Sequence, residues 1–328
     1  MATHTLISTY LDHLTASGKA STAATYGAHL ERLSSWATEA GIDLADLTPD
    51  SLARFHLWLA NSYRTATGEP LADSTQASVI AVIRSWCAWL HRRGHLSHNP
   101  ARRLVPPKLP DNPTVTADYL TQQEAYALLA VAQRIVAEAT PGSIPWAIAC
   151  RNLALMALAI ATGRRVQGLC DIHVADIERE RAEVRVAWEK GKSGRVLPVA
   201  RWAIAAVCAY VDRARPLLLG GRASPHLFVS QRAGQIDKRT VAFVLADLLA
   251  ATIAANPDLT DLPTKRISTH SLRVTFATLL QRNRCPIRSL NAMMLHESLS
   301  VTARYTPIPL EELRRTLVAH HPRAGRCG

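Results

Sequence analysis

The sequence has no C-x-x-C pair among its six cysteines, Cys87, Cys150, Cys170, Cys208, Cys285 and Cys327. Most of them fall in apolar helical runs, so they read as reduced core residues of a cytosolic protein. No Gly-x-x-x-x-Gly-Lys-Ser/Thr loop exists to cradle nucleotide phosphates, so no ATP site is visible. No Asp/Glu cluster of two-metal spacing accompanies the arginines discussed below, which argues against a metal nuclease. His91, His95 and His98 are spaced H-x3-H-x2-H near a helix end, but no acidic or cysteine ligand stands beside them, and zinc is not expected there. No N-terminal signal peptide is visible. The longest apolar run, around Trp146 to Thr162, contains Arg151 and reads as too short to span a bilayer, so no membrane is expected as a partner.

What the chain does have is length and positive charge. Its 328 residues suffice for two domains, each with its own core, and 48% hydrophobic with 20% charged residues is ordinary for a globular protein. The formal net charge is +12. Residues 1–107 carry 9 Lys+Arg against 8 Asp+Glu, and residues 108–328 carry 29 against 18, so nearly all the excess lies in the second part. A basic excess of this size favours a polyanionic partner, most often nucleic acid.

One stretch of that second part concentrates chemistry. It reads His270-Ser271-Leu272-Arg273, then an apolar helical run, then Leu295-His296-Glu297-Ser298, and Tyr305 nine residues after His296. On a helix the i, i+3 spacing puts His270 and Arg273 on one face, where both can address one anion. Arginine offers a planar fork that matches phosphate oxygens, histidine trades a proton near neutral pH, and a tyrosine hydroxyl is a nucleophile once deprotonated. Its unperturbed pKa of about 10 calls for nearby cations or a base.

The order and spacing of these residues resemble the C-terminal signature of the tyrosine recombinases, the phage integrase family. The resemblance implies a first arginine about a hundred residues earlier, in a Thr-Gly-x-Arg turn after an apolar helix. Thr162-Gly163-Arg164-Arg165-Val166 supplies it: Arg165 takes that role and Arg164 the preceding, usually apolar, position. Gly168 stands where many relatives place a glutamate. The family's lysine lies on a β-hairpin. Here residues 183–188 alternate, a glycine-containing turn follows, and residues 195–199 return. Aligning without a gap to Pro198 selects Lys190, with Lys192 a close competitor. Two further departures are Leu295, where a glycine commonly precedes the second histidine, and Val274, where a histidine often follows the second arginine.

Upstream, the pattern predicts helices over 3–15, 21–40 (capped by Ser21 or Thr22), 50–61 and 74–93, forming a four-helix bundle. Asn99-Pro100 and the closely spaced Pro106, Pro107, Pro110 and Pro113 then read as an extended linker. Leu120-Thr121-Gln122-Gln123-Glu124 opens the next domain with a capping box. Further helices are predicted over 146–161, 200–218, 238–254 and 310–319. The expected fold is mainly α with a small antiparallel β-sheet. By resemblance it comprises an N-terminal helical core-binding (SAM-like) domain, residues 1–105, a linker, 106–118, and a catalytic domain of mixed α/β type, 119–328.

The resemblance further implies a site-specific recombinase that cuts and rejoins DNA through a 3′-phosphotyrosine on Tyr305. Arg165 and Arg273 would clamp the phosphate, His270 would assist proton transfer, Lys190 would protonate the leaving 5′-oxygen and His296 would hydrogen-bond the phosphate. It implies no cofactor, double-stranded DNA as substrate, a homotetramer assembled on it with or without a partner recombinase or accessory protein, and a C-terminal tail docking on the neighbouring protomer. The location would be cytoplasmic and nucleoid-associated. Lys192, Lys238, Arg239 and Arg84 are candidate DNA contacts; Lys238 and Arg239 open a helix whose N-terminal amides could meet DNA with them, and two solvated charges are the alternative there. A type IB topoisomerase and a catalytically silent DNA-binding protein are the alternatives.

Overall fold

The computed structural model describes residues 2–108, 118–186, 194–295 and 310–321. The chain forms two compact units, Met1–Thr114 and Val115–Gly328. Most of the expected linker, together with Lys190, Lys192, His296 and Tyr305, lies outside the described residues.

The first unit contains helices α1 (Ala2–Ala16), α2 (Ala20–Glu39), α3 (Pro49–Asn61) and α4 (Asp73–Arg92). Each has one apolar face, and those faces meet in a core that includes Leu30, Leu33, Phe55, Ile83 and Trp86. The cap of α2 is neither Ser21 nor Thr22, contrary to the sequence expectation. Lys19 is the N-cap and makes no side-chain cap bond. The reason is the tight turn before it: Gly18 takes φ +72°, Lys19 N donates to Leu14 O at 2.9 Å, and the next helix starts at once, leaving no room for a capping residue at 21 or 22. α3 begins as its sequence suggests, with Thr48 and Ser51 capping each other and Pro49 in the first turn. His91 hydrogen-bonds the Leu96 carbonyl through Nδ1 at 3.0 Å, and His95 stacks on Trp89.

The second unit is built around α6 (Ile144–Thr162), preceded by α5 (Gln122–Glu138). α6 is long and apolar enough to cross a membrane by length and composition alone, contrary to the sequence expectation, yet most of it is buried inside this unit. Its single charge is satisfied there: Arg151 donates to Val229 O at 3.1 Å and to Asn152 Oδ1 at 2.9 Å. α7 (Val166–Cys170) follows, then an antiparallel sheet of order β1 (Ile177–Glu178), β2 (Glu183–Val186), β3 (Arg195–Pro198). The register pairs Val184 with Leu197 and Val186 with Arg195, which points Val184, Val186 and Leu197 inward. The tip of this hairpin is outside the described residues.

The helix predicted over 200–218 is divided into α8 (Arg201–Ala209), a π-helical segment Tyr210–Ala214 and α9 (Arg215–Leu219). Pro216 lacks an N–H and cannot continue a regular ladder, and the wider turn absorbs the mismatch. α10 (Lys238–Ala255), α11 (Thr269–Arg282), α12 (Ile287–Met294) and α13 (Leu310–His320) complete the unit. α13 packs on its own unit: Leu313 and Leu317 join Phe276, Leu280, Met293 and Met294 in a small core. Arg314 pairs with the buried Glu183 of β2. In this chain by itself the tail helix is therefore seated on the domain that carries it.

The five described cysteines are free, and burial pushes the thiols of Cys87, Cys170 and Cys285 up to about 12, 11 and 11. Cys87, Cys150, Cys170 and Cys285 are core residues, and Cys208 is partly buried against the core.

Candidate active site

The site begins where α6 ends. Gly163 caps the helix in the left-handed region, φ +58°, and its N–H donates to Ala159 O at 2.9 Å. Glycine is required twice over. A side chain would be strained at that φ, and its Cβ would lie 2.5 Å from the Phe276 ring. The close approach of Phe276 brings α11 against the turn, so that Arg164 and Arg165 emerge beside the helix that carries His270 and Arg273.

α11 is set by its own cap. Ser268 and Ser271 cap each other, which starts the helix at Thr269 and puts His270 one turn before Arg273. Thr275 accepts a hydrogen bond from Leu120 N at 2.9 Å, fixing α11 to the segment that opens α5. Beside this, Glu124 does two jobs. It closes the predicted capping box with Thr121, and it accepts from Lys265 Nζ at 2.7 Å in a nearly buried ion pair. The second contact spans 141 residues and leaves no trace in the local sequence pattern.

Arg273 is 5% exposed, and its donors go to main-chain carbonyls: Nη1 to Gly163 O at 2.8 Å and Nη2 to Met294 O at 2.5 Å. Those two bonds join the ends of α6 and α12 through one guanidinium. Burial, then the charge of Arg165, then that of Arg164 push the Arg273 guanidinium down to about 10. It remains charged at neutral pH. Among the described residues no carboxylate forms an ion pair with Arg273. Arg165, the N-cap of α7, and His270 are both exposed. The structure thus brings three of the six candidate catalytic residues, Arg165, His270 and Arg273, to one place. Lys190, His296 and Tyr305 are not among the described residues, and α12 ends two residues before His296, with Leu295 as its C-cap.

Leu295 takes φ +54° at the end of α12. The common glycine at this position therefore has a physical reason, a left-handed cap, which this chain makes with leucine at a cost of about 1 kcal/mol. Leu295 packs partly buried against the main core, which offsets that cost.

The outlying DNA-contact candidates fare differently. Lys238 and Arg239 are exposed at the start of α10, but the Asp237 carboxylate already accepts from Thr240 N at 2.6 Å. The Thr240 amide is consequently engaged, while Lys238 and Arg239 themselves stay exposed beside it. Arg84 projects from α4 into an open groove of about 400 Å³ that it shares with Arg102, Ser85 and Asn99. Arg102 is not singled out by the sequence, because its proximity to Arg84 depends on how the chain turns back after α4.

The phage integrase family matches residues 118–310, and the family's N-terminal SAM-like domain matches residues 7–94. Tyrosine recombinase XerC 2 of Ralstonia nicotianae is 30% identical over 296 residues, which is 89% of this chain and 78% of that protein. Tyrosine recombinase XerC of Bacillus subtilis is 31% identical over 256 residues, covering 77% of each. Among solved structures, the XerH site-specific recombinase bound to palindromic difH substrate in a post-cleavage complex gives a TM-score of 0.64 at 16% identity, over 92% of this chain and 77% of that one. A lambda integrase (75-356) dimer bound to a COC′ core site gives 0.57 at 16% identity, over 94% and 98%. At such identities the structural likeness is one of fold. The domain matches and the sequence identity over most of the chain settle the relationship: this chain belongs to the phage integrase family, the tyrosine recombinases, enzymes of site-specific DNA recombination.

Proposed function

We propose that this chain integrates, excises or resolves a DNA element by cutting and rejoining strands through a 3′-phosphotyrosyl intermediate on Tyr305. The observation that carries the reading is Arg273, buried, fixed by two carbonyls and placed beside Arg165 with no carboxylate among the described residues to neutralise the pair. Such a pair is prepared for a phosphate, whose non-bridging oxygens match two guanidinium forks.

In the reaction Tyr305 loses its proton with help from His270, and its oxygen attacks the scissile phosphorus. The bond to the 5′-oxygen breaks, and Lys190, or Lys192 if the hairpin register differs, supplies the proton that makes a free 5′-hydroxyl. Arg165 and Arg273 stabilise the charge that grows on the pentacoordinate transition state, and His296 hydrogen-bonds the same phosphate. The phosphotyrosine conserves the bond energy. A 5′-hydroxyl from another duplex then attacks it, regenerating Tyr305 without a cofactor. Exchange between two duplexes needs four such sites, hence a tetramer on DNA, with an accessory protein or second recombinase as a further partner. Residues 1–105 serve as the core-binding domain, 106–118 as the linker and 119–328 as the catalytic domain, acting on nucleoid DNA in the cytoplasm. Arg84 with Arg102, and Lys238 with Arg239, contribute phosphate contacts that position rather than specify.

The test uses two labelled duplexes carrying sequence from beside the gene in its source genome, incubated with the protein and a chelator. Exchange of label between duplexes is expected. Relaxation of supercoiled DNA without exchange would instead favour a topoisomerase, and binding without cleavage a silent accessory protein.

A further inference from the structure

We propose that Arg32, His29 and Tyr63 of the first unit form a site for a single phosphate of the DNA backbone. The proposal rests on the DNA-binding part of the reading above and adds a contact to it. Composition does not announce that contact, because residues 1–107 carry only 9 Lys+Arg against 8 Asp+Glu. A unit so close to neutral holds a polyanion by where its donors stand, not by how many cations it has.

His29 and Arg32 stand three residues apart on one face of α2, and Tyr63 comes from the turn that follows α3. All three are half-buried. Tyr63 is itself fixed: its N–H donates to Trp58 O at 2.9 Å, and its ring meets the edge of Trp58 with centroids 5.3 Å apart. Arg32 is fixed in turn. Its Nε donates to the Tyr63 hydroxyl oxygen at 3.3 Å, and Nη1 donates to Ala28 O at 3.0 Å and to His29 Nδ1 at 2.9 Å. The guanidinium carbon lies 5.8 Å from the centroid of the Tyr63 ring.

The protons left over define the ligand. Nε–H and both protons of Nη1 hold the guanidinium in place, while those of Nη2 meet no acceptor among the described residues. Because a guanidinium can only donate, His29 Nδ1 accepts, and the neutral ring carries its proton on Nε2, also without an acceptor there. Burial, then the charge of Arg32, hold His29 below its ordinary value, which keeps the Nδ1 lone pair that Arg32 uses. The Tyr63 oxygen accepts from Nε, so its own proton is free to be given. None of the ion pairs among the described residues includes Arg32. The cluster therefore offers one positive charge and donors from three side chains, which matches the single charge and two non-bridging oxygens of a phosphodiester. With three bonds already fixing Arg32, engaging that anion costs little side-chain freedom.

The experiment measures binding of the full chain, Arg32→Gln and Tyr63→Phe to a duplex from beside the gene over a range of salt, with thermal unfolding of each variant alongside. Arg32→Gln is expected to weaken binding about tenfold and to lower the slope of log affinity against log salt by about 1. Tyr63→Phe keeps the ring and loses one donor, and should weaken binding about two- to threefold. Uncharged methylphosphonates placed singly along the duplex then locate the contact. One position that weakens binding of the wild type should leave Arg32→Gln unaffected, a coupling that a merely structural tie between α2 and the turn after α3 would not give. Wild-type affinity in Arg32→Gln, or a loss coupled to no methylphosphonate position, would overturn the proposal while leaving the strand-transfer reading intact. So would inorganic phosphate that shifts the His29 ring signals in NMR while Arg32→Gln binds DNA as tightly as the wild type, since the cluster would then hold free phosphate only. A wild-type chain that binds no duplex at all would overturn both.

Discussion

The two units differ in whether they bury arginine. In the first, Arg54, Arg64, Arg84, Arg92, Arg93, Arg102 and Arg103 are exposed and Arg32 is half-buried. In the second, Arg151, Arg215 and Arg273 are buried and each donates to main-chain carbonyls. An exposed guanidinium contributes charge to a surface, and its position averages over many rotamers. A buried one held by carbonyls is a fixed array of donors. The contrast separates grip from chemistry, but burial alone does not mark the site. Arg151 and Arg215 tie loops to the core, whereas Arg273 differs from them in having Arg165 and Arg164 as neighbours.

The comparison is sharpest at Arg273. Arg273→Lys keeps a charge but not the two-carbonyl geometry, and should reduce cleavage by about 10²–10³-fold, read as single-turnover adduct formation. Arg151→Met is the matched control. It should lower thermal stability, because the Val229 carbonyl loses its partner, while the folded protein cleaves at the wild-type rate. If both variants cleave equally slowly, fixed burial rather than the cation cluster is what matters. Next in size is Gly163→Ala, expected to destabilise the second unit by about 2–4 kcal/mol through the strained φ and the Phe276 contact, measured by denaturant unfolding. Smaller again is the effect of removing exposed charge. Arg84→Ala with Arg102→Ala should weaken DNA binding a few-fold and reduce the slope of log affinity against log salt by about 1 for each phosphate no longer neutralised. The smallest effect is expected for Leu295→Gly, where relief of the left-handed strain and removal of leucine packing offset each other to within about 1 kcal/mol.

Much of the molecule is legible in its sequence because it is written locally. Helical periodicity locates the four helices of the first unit, Thr121 and Glu124 announce their capping box, and Thr-Gly before the arginines announces the turn that ends α6. What stays hidden depends on distant partners. Glu124 reaching Lys265, Glu183 reaching Arg314 and Phe276 pressing on Gly163 join residues more than a hundred positions apart, and no period or motif encodes them. In the sequence Arg164 is an atypical residue at an apolar position, and Gly168 a missing glutamate. In three dimensions the two departures become one feature, since the glycine makes room for the arginine. At the start of α10 the cap is local as well: Asp237 is a good N-cap, and its carboxylate engages the Thr240 amide.

If the arginine cluster serves a tyrosine nucleophile without a metal, the protein must form a covalent adduct with DNA when metal is withheld. The most direct test is a duplex nicked near its crossover, so that cleavage cannot be reversed, mixed with the protein in the presence of a chelator and resolved on a denaturing gel. The expected result is a covalent protein–DNA adduct whose peptide map ends at Tyr305 and which the Tyr305→Phe variant fails to form while still binding the duplex. An adduct at another residue, or cleavage that requires added metal, would contradict it.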